Sequence, residues 1–124
     1  VIDDESVTVD AVKKVLFCSG KIFFDLSEQK QKESRSDIAL IRLEQIYPLP
    51  HKQLELLATK YKNATWFWVQ EEPINMGAAS FLQMNLKAIN FGIIGRQPSA
   101  STATGYNKTH QQEQAEIIDT AFSI

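Results

Sequence analysis

Cysteine and histidine are scarce in this chain. Cys18 is the only cysteine among 124 residues, and His51 and His110 are the only histidines. A single cysteine excludes an internal disulfide framework and any multi-cysteine zinc or iron–sulfur site. Neither histidine has a cysteine or a second histidine at ligand spacing, so both are interpreted as surface or capping residues near predicted helix starts. This use of cysteine is typical of a reducing compartment.

Long apolar runs and net charge are lacking as well. No run approaches the roughly 20 residues that a membrane-spanning helix needs, and the first residues do not show the basic-then-apolar pattern of a signal peptide. Thirteen Lys and Arg against fifteen Asp and Glu give a net charge of −2. Such a weak field does not attract nucleic acid or anionic membranes. We therefore expect an intracellular protein with neither of these as a partner.

What the chain does contain is 44 % hydrophobic and 23 % charged residues, a balance typical of a folded globular domain. Short apolar runs at residues 15–18, 38–43, 65–70 and 91–94 predict strands buried on both faces. The intervening segments, about 20 residues each, suit helical crossovers between parallel strands. We predict an α/β fold with the first three runs as neighbouring parallel strands, formed by a single domain at 14–124 after an acidic lead-in arm at 1–13.

Apolar spacing predicts the helices between these runs. A first helix is expected at about 22–32, and two others carry the stripes Leu54, Leu57, Ala58, Tyr61 and Ala79, Leu82, Leu86, Ile89. In the last helix, the Thr109 hydroxyl is expected to cap the amide of Gln112. Ala115, Ile118 and Phe122 are predicted to be its buried face. Before it, residues 96–106 form a long loop of small residues, which is typical of functional loops.

Ligands in a parallel sheet gather beyond the carboxyl ends of the strands. Glu71 and Glu72 follow the third run; they are either a general acid or base or, as we favour, a structural pair for Arg96, which follows the fourth run. A planar guanidinium bonds a carboxylate at two points, so Arg96 is predicted beside one of them. The turn 19–21 is either an anion-binding loop using Lys21 or, preferably, a plain tight turn, since it lacks the full phosphate-loop pattern.

Two further features are interpreted as core packing. Cys18 closes the first apolar run, where a cysteine behaves as a small hydrophobe with a raised thiol pKa. Trp66 and Trp68 share one face of the third run, and Phe67 and Val69 share the other. Both faces of that strand are therefore apolar, which favours a buried strand over a stacking platform for bases.

Four stretches in order, 15–26 (VLFCSGKIFFDL), 39–50 (ALIRLEQIYPLP), 68–78 (WVQEEPINMGA) and 95–106 (GRQPSASTATGY), resemble the dehydrogenase component of the 2-oxoglutarate complex. The resemblance implies a transketolase C-terminal-like domain, three-layer α/β/α with a mostly parallel, five-stranded sheet. It also implies a full-length enzyme that uses thiamine diphosphate and magnesium to decarboxylate 2-oxoglutarate and passes the succinyl group to a lipoyl arm. The Gly-Asp-Gly and Asn-Asn motifs that hold this cofactor in the family do not occur here, so we expect no cofactor or metal on this fragment.

The resemblance leaves assembly and dimerisation as the role of this domain. Its partners would be the upstream domains, a second dehydrogenase subunit and dihydrolipoyl succinyltransferase, in the cytoplasm of a bacterium or the mitochondrial matrix of a eukaryote. The alternative is a regulatory module that binds a nucleotide or coenzyme A. The candidate interface or anion-binding residues are Lys21, Glu71, Glu72, Asn75, Arg96, Ser99 and Ser101, none with a catalytic role.

Overall fold

Strands and helices alternate along the chain. The computed structural model describes residues 1–98 and 107–123, with the backbone alone at 107–110. The elements are β1 Lys14–Cys18, α1 Ile22–Glu33, β2 Ile38–Arg42, α2 His51–Lys60, β3 Thr65–Pro73, α3 Ala79–Asn85, β4 Phe91–Arg96 and α4 Asn107–Phe122, after a short 3-10 helix at Val9–Ala11. This order confirms the predicted β-α rhythm. No helix within the described ranges is both long and apolar enough to cross a lipid bilayer.

The four strands form one parallel sheet in the order β2-β1-β3-β4. Strand β1 pairs on both sides, so that Val15 lies opposite Ala39 of β2 and opposite Trp66 of β3. This pairing confirms the predicted parallel arrangement of the three strands. The strands are parallel because each helical crossover returns the chain to the edge at which the previous strand began. Four strands match the four apolar runs; the fifth strand that the resemblance implies is not found among the described residues.

Helices cover both faces of the sheet and give the predicted three-layer α/β/α architecture. On one face, Phe17 lies edge-on to Trp66 and Trp68, with ring centroids 5.5 and 5.2 Å apart, which places both tryptophans in the core as predicted. Helices α2 and α3 cover this face. Helices α1 and α4 cover the other face, where they pack on side chains that include Leu16, Cys18 and Val69. Successive side chains of each strand point to opposite faces of the sheet and therefore pack into two separate apolar layers.

Two of the predicted helices differ in detail. Helix α4 begins at Asn107, so the predicted start of this helix at Thr109 is wrong; the side chain of Thr109, on which the predicted cap depends, lies outside the described residues. Ala115 is exposed, and Ile117 and Ala121 join Ile118 and Phe122 on the buried face. Helix α3 ends at Asn85, although the next residue, Leu86, and Ile89 are buried as their spacing predicts. The apolar spacing therefore identified buried residues better than it located helix ends.

The arm at residues 1–13 closes the free edge of β2. Ile2 exchanges two backbone hydrogen bonds with Arg42, at 2.8 and 2.9 Å, as an isolated antiparallel bridge. Further along, a carboxylate oxygen of Asp4 accepts a 2.9 Å hydrogen bond from the amide of Leu40 and a 2.8 Å bond from Lys30. An unpaired strand edge invites association with other chains. In this protein the backbone carbonyl of Ile2 and the side chain of Asp4 accept hydrogen bonds from amides of β2.

We expect Asp4→Asn to lower the free energy of unfolding by about 1–2 kcal/mol at neutral pH, because the Lys30 ammonium, only 12 % exposed, loses its counter-charge. Burial raises the pKa of the Asp4 carboxyl, but hydrogen bonds from Lys30, Ser6 and Leu40 outweigh it, so the pKa lies below the ordinary 3.8. The stabilisation is therefore complete above pH 3.8 and is lost as the pH falls through the folded-state pKa.

Urea unfolding of the wild type and Asp4→Asn across this pH range measures the difference. Glu5→Gln, one residue away on an exposed side chain, is the matched control and should leave the stability unchanged. A difference between the wild type and Asp4→Asn that stays constant below pH 3.8 would contradict the assigned role of the Asp4 carboxylate.

Candidate functional site

A cavity of about 520 Å³ lies beyond the carboxyl ends of β1 and β3. Four of the predicted site residues, Lys21, Glu71, Glu72 and Arg96, line it, together with Ser19, Gly20, Ile46, Trp68, Gln70 and Ala78. The three elements β1, β3 and β4 all end here because the strands are parallel. The structure therefore brings these four residues together at the edge of the sheet where ligands of α/β proteins gather.

An irregularity between β3 and β4 shapes the floor of this cavity. Val69 pairs with Ile94, and the next pair is Pro73 with Arg96. Between these two pairs β3 advances by four residues while β4 advances by two. The additional residues on β3 belong to the stretch from Gln70 to Glu72. Bulges of this kind change the direction of side chains next to functional sites. The buried β3 run thus ends in a polar segment at the cavity.

Gln70 fixes that segment and is a residue that the sequence prediction missed. Its side chain is 3 % exposed. The Gln70 Oε1 accepts a 2.8 Å hydrogen bond from Trp68 Nε1, and its Nε2 donates to the carbonyls of Pro73 and Met76, both at 2.8 Å. A buried amide must find such partners. The signal that could have found it is a glutamine within an apolar strand run.

The turn that Gln70 holds needs glycine at position 77. Gly77 has φ +68, and a Cβ there would lie 3.2 Å from both Gln70 Oε1 and the carboxyl carbon of Glu72. A side chain would therefore face backbone strain and crowding from these two groups together. Asn75 lies in this turn and is exposed. Glycine here lets the chain pass close to Gln70 before α3 begins.

The turn from Ser19 to Lys21 binds carboxylates of this chain. Gly20 has φ +81, as a tight turn requires, and its amide donates to the two oxygens of Glu44 at 3.1 and 3.4 Å. Lys21 forms an ion pair with Glu71 at 2.5 Å and this partner raises the pKa of Lys21. The Lys21 side chain is 75 % exposed, so the pair contributes little to stability. Internal anions thus occupy the groups that an external anion would use.

Arg96 joins β3, β4 and α4. Its Nε donates a 2.7 Å hydrogen bond to the backbone carbonyl of Glu71, and its Nη1 lies 3.0 Å from Glu113 of α4. Arg96 therefore does lie beside Glu71. The carboxylate that pairs with it in the described contacts is that of Glu113, where the sequence had predicted Glu71 or Glu72. The reason is that Lys21 holds the Glu71 carboxylate, and Glu113 reaches Arg96 from the helix above.

The remaining sequence candidates lie outside this cluster. Ser99 and Ser101 fall outside the described residues, as does the side chain of His110, and His51 is exposed at the first residue of α2. Cys18 is fully buried, and burial raises the pKa of its thiol to about 12, so it remains protonated and unreactive at neutral pH. Across the described residues, no three His, Cys, Asp or Glu side chains come together as metal ligands.

A larger cleft of about 870 Å³ lies between the arm and α1. Two of the cations that line it are held by carboxylates of this chain: Lys30 pairs with Asp4 at 2.8 Å, and Arg35 pairs with Asp37 at 2.8 Å. It is away from the carboxyl ends of the two central strands, and no polar groups of the cluster described above line it. Size alone therefore does not identify the functional site, and the cavity at the sheet edge is the better candidate.

Comparison with known proteins gives one consistent family. A family model described as 2-oxoglutarate dehydrogenase C-terminal matches residues 1–122. The 2-oxoglutarate dehydrogenase E1 component of Cupriavidus necator is 39 % identical over 127 residues, which cover 98 % of this chain and 13 % of that protein. The mitochondrial 2-oxoglutarate dehydrogenase of Caenorhabditis elegans is 38 % identical over 120 residues, or 91 % of this chain and 12 % of that protein.

A third relative carries a different substrate in its name. The "Probable 2-oxoadipate dehydrogenase complex component E1 homolog" of Dictyostelium discoideum is 40 % identical over 119 residues, covering 91 % of this chain and 13 % of that protein. The chain thus spans about one eighth of the length of these curated relatives, and similar identities accompany two different 2-oxo acids.

Proposed function

Since the chain belongs to the 2-oxoglutarate dehydrogenase C-terminal family, we propose that it is the assembly and dimerisation domain of the decarboxylating component of a 2-oxoglutarate dehydrogenase complex. The observation that carries this proposal is that the polar groups at the sheet edge bind one another: Lys21 binds Glu71, Gly20 binds Glu44 and Arg96 binds Glu113. Hydrogen bonds and ion pairs of this kind hold the strands and helices of a domain in fixed positions. Residues 14–124 would form this single domain, with residues 1–13 as its lead-in arm.

In the full-length chain, we propose decarboxylation of 2-oxoglutarate and transfer of the succinyl group to a lipoyl arm of dihydrolipoyl succinyltransferase. The upstream domains and a second dehydrogenase subunit are the other proposed partners. The compartment would be the cytoplasm in a bacterium and the mitochondrial matrix in a eukaryote. The three proteins compared above support a 2-oxo acid as the substrate, and two of their names support 2-oxoglutarate over 2-oxoadipate.

Thiamine diphosphate and magnesium, which this reaction uses, do not fit the described residues of this chain. Magnesium needs oxygen ligands in near-octahedral geometry, and the described side chains offer no cluster of three acidic or histidine ligands. A diphosphate needs free amides or cations, whereas the Gly20 amide is bonded to Glu44 and Lys21 is bonded to Glu71. We therefore place cofactor binding in the domains that precede this one, and derive no catalytic step from its residues.

The second candidate is regulation by an anionic metabolite such as a nucleotide or coenzyme A. One observation favours it: the cations of Lys21 and Arg96 line the same 520 Å³ cavity. Glu71, Glu72, Asn75, Ser99 and Ser101 are the further candidates for such a site, and Glu71 would first have to release Lys21. Calorimetric titration with acyl-coenzyme A and nucleotides separates the two candidates, since the assembly role predicts no saturable binding.

The assembly proposal predicts that this chain is inactive by itself and that the full-length protein decarboxylates 2-oxoglutarate. With thiamine diphosphate, magnesium and 2-oxoglutarate, the 124-residue chain should release no carbon dioxide above background, whereas the full-length protein should release it. Deleting this domain from the full-length chain should abolish both dimerisation, measured by analytical ultracentrifugation, and turnover. Lys21→Ala in the full-length chain is the control and should retain activity. A deleted chain that still dimerises and turns over would overturn the assembly role.

A further inference from the structure

The cleft between the arm and α1 contains a cation whose nitrogens are not bonded. Arg42, the last residue of β2, lines this cleft of about 870 Å³, and its side chain is 29 % exposed. Its Nε is buried without a hydrogen-bond partner among the described residues, and its two terminal nitrogens are neither buried nor bonded there. An unbonded buried donor in a native structure needs an explanation, and a ligand of the guanidinium is one that this cleft allows.

The nearest carboxylate does not bond the guanidinium of Arg42. Glu44 Oε1 lies 3.6 Å from Arg42 Nε, beyond hydrogen-bond distance, and the amide of Gly20 bonds the two oxygens of that carboxylate at 3.1 and 3.4 Å. The other two side-chain cations of the cleft, Lys30 and Arg35, are paired with carboxylates of this chain. Arg42 is therefore the cation of the cleft that can bond an anion without first releasing an internal partner.

Two phenylalanines of α1 hold this guanidinium in position. Its Cζ lies over the ring of Phe23, 4.7 Å from the ring centre, and over that of Phe24 at 5.7 Å. Contacts with ring faces leave the edge of the guanidinium plane available, where an arginine bonds a carboxylate or a phosphate at two points. A side chain that is already held in this manner loses less conformational freedom when it binds a ligand.

The face of α1 that lines the cleft adds neutral polar groups. Phe23, Ser27 and Gln31 follow one another at steps of four residues, so they lie on the same side of the helix. The side chains of Ser27 and Gln31 make no hydrogen bond within the part of the chain that the structure describes. By contrast, the Thr59 hydroxyl of α2 donates to the carbonyl of Glu55 at 3.1 Å. Ser27 therefore offers an available hydroxyl one helical turn beyond the ring that supports the guanidinium.

We propose that the cleft between the arm and α1 binds a small organic oxyanion, with a carboxylate or phosphate group on the terminal nitrogens of Arg42 and a hydrogen bond to the Ser27 hydroxyl. Both groups present the pair of oxygens that a guanidinium bonds at two points. Ile2 of the arm and Leu40 of β2 also line the cleft, so they can cover a short carbon chain attached to that group. This site is separate from the cavity at the sheet edge and does not depend on the proposed function.

Arginine labelling of the full-length protein with phenylglyoxal, read by mass spectrometry, tests the site. Arg42 should be labelled faster than Arg35, because all three side-chain nitrogens of Arg35 are hydrogen-bonded. Succinate and inorganic phosphate are the probes, with sodium chloride at equal ionic strength as the reference. At saturation, at least one probe should slow the labelling of Arg42 several-fold and leave that of Arg35 unchanged. Protection by succinate alone assigns a carboxylate ligand, and protection by phosphate alone assigns a phosphate ligand.

Two outcomes of this labelling would overturn the proposal: an Arg42 that is labelled as fast with either probe as in sodium chloride, and an Arg42 that is not labelled even without a probe.

Ser27→Ala distinguishes a binding site from simple attraction to the charge of Arg42. In this variant, the probe concentration that halves the labelling rate of Arg42 should rise about fivefold, as expected for the loss of one hydrogen bond. Ser80→Ala, on an exposed side chain of α3, and Lys21→Ala, at the cavity beyond β1 and β3, are the controls and should leave that concentration unchanged. An unchanged concentration in Ser27→Ala, or a raised one in Lys21→Ala, would contradict the assigned site.

Discussion

Replacing Gln70 with alanine should lower the free energy of unfolding of this chain by about 2–4 kcal/mol. The substitution removes the acceptor of the buried Trp68 indole N–H and the donor to the carbonyls of Pro73 and Met76, at a position where Gln70 is 3 % exposed. The Pro73 carbonyl keeps its 2.9 Å hydrogen bond from the amide of Met76. Each buried polar group left without a partner costs its full desolvation penalty. Urea unfolding followed by tryptophan fluorescence measures the loss, because Trp68 bonds directly to Gln70.

Two further variants show whether the hydrogen bonds are the cause. Gln83→Ala removes the same side chain from an exposed position on α3 and should leave the stability unchanged. Gln70→Glu keeps the volume but turns the donating Nε2 into an oxygen that faces the carbonyls of Pro73 and Met76. It should therefore be at least as destabilising as alanine at neutral pH. A Gln70→Glu protein as stable as the wild type would contradict the assigned hydrogen bonds.

Replacing Arg96 with alanine should destabilise the chain by about 2–3 kcal/mol. The Arg96 side chain is 10 % exposed, and its loss removes the donor that it supplies to the Glu71 carbonyl and the positive charge 3.0 Å from the Glu113 carboxylate. Because Glu113 is 33 % exposed, water partly replaces the lost partner, so the loss should stay below that of a fully buried ion pair. Calorimetric melting measures the effect, and the exposed Lys87→Ala is the control for removal of a cation.

A double-mutant cycle isolates the ion pair within that effect. Combining Arg96→Ala with Glu113→Gln should cost less than the sum of the two single substitutions, since both remove the 3.0 Å contact between β4 and α4. Arg96→Lys should recover only part of the loss, because a lysine cannot donate to the Glu71 carbonyl and the Glu113 carboxylate in the same planar geometry. Strict additivity of the two substitutions would show that Glu113 is not the partner that matters.

Part of the candidate site could be predicted from the sequence. Lys21, Glu71 and Arg96 were found because each follows an apolar run in the sequence, and the carboxyl ends of parallel strands share one edge. In the structure Glu71 lies within β3 and Arg96 is the last residue of β4. The pairing within the site could not be predicted. Which carboxylate meets Arg96 depends on the register shift between Val69 and Pro73 and on where α4 lies over the sheet. Neither is a local property of the sequence around these residues.

The role of the arm could also be predicted only in part from the sequence. Its acidic, weakly patterned sequence predicted a lead-in segment and gave no sign that Asp4 would bond the edge of β2. Two features distinguish the bonded Asp4 carboxylate from a solvated one. The sheet leaves the amide of Leu40 unpaired, and Lys30 of α1 reaches the same carboxylate oxygen. Both features come from elements far from Asp4 in the sequence.

The sequence by itself determined the strands and most residues of the core. Strands buried on both faces must be apolar on both faces, as Trp66, Phe67, Trp68 and Val69 are, and the crossovers between them must be long. These requirements are local and repeat along the chain, so they can be recognised without knowing the fold. Only the tertiary structure decided that Glu44 binds Gly20, Asp4 binds Leu40 and Glu113 binds Arg96. Those pairs join residues distant in the sequence, and a shift of one residue in register would give each side chain another neighbour.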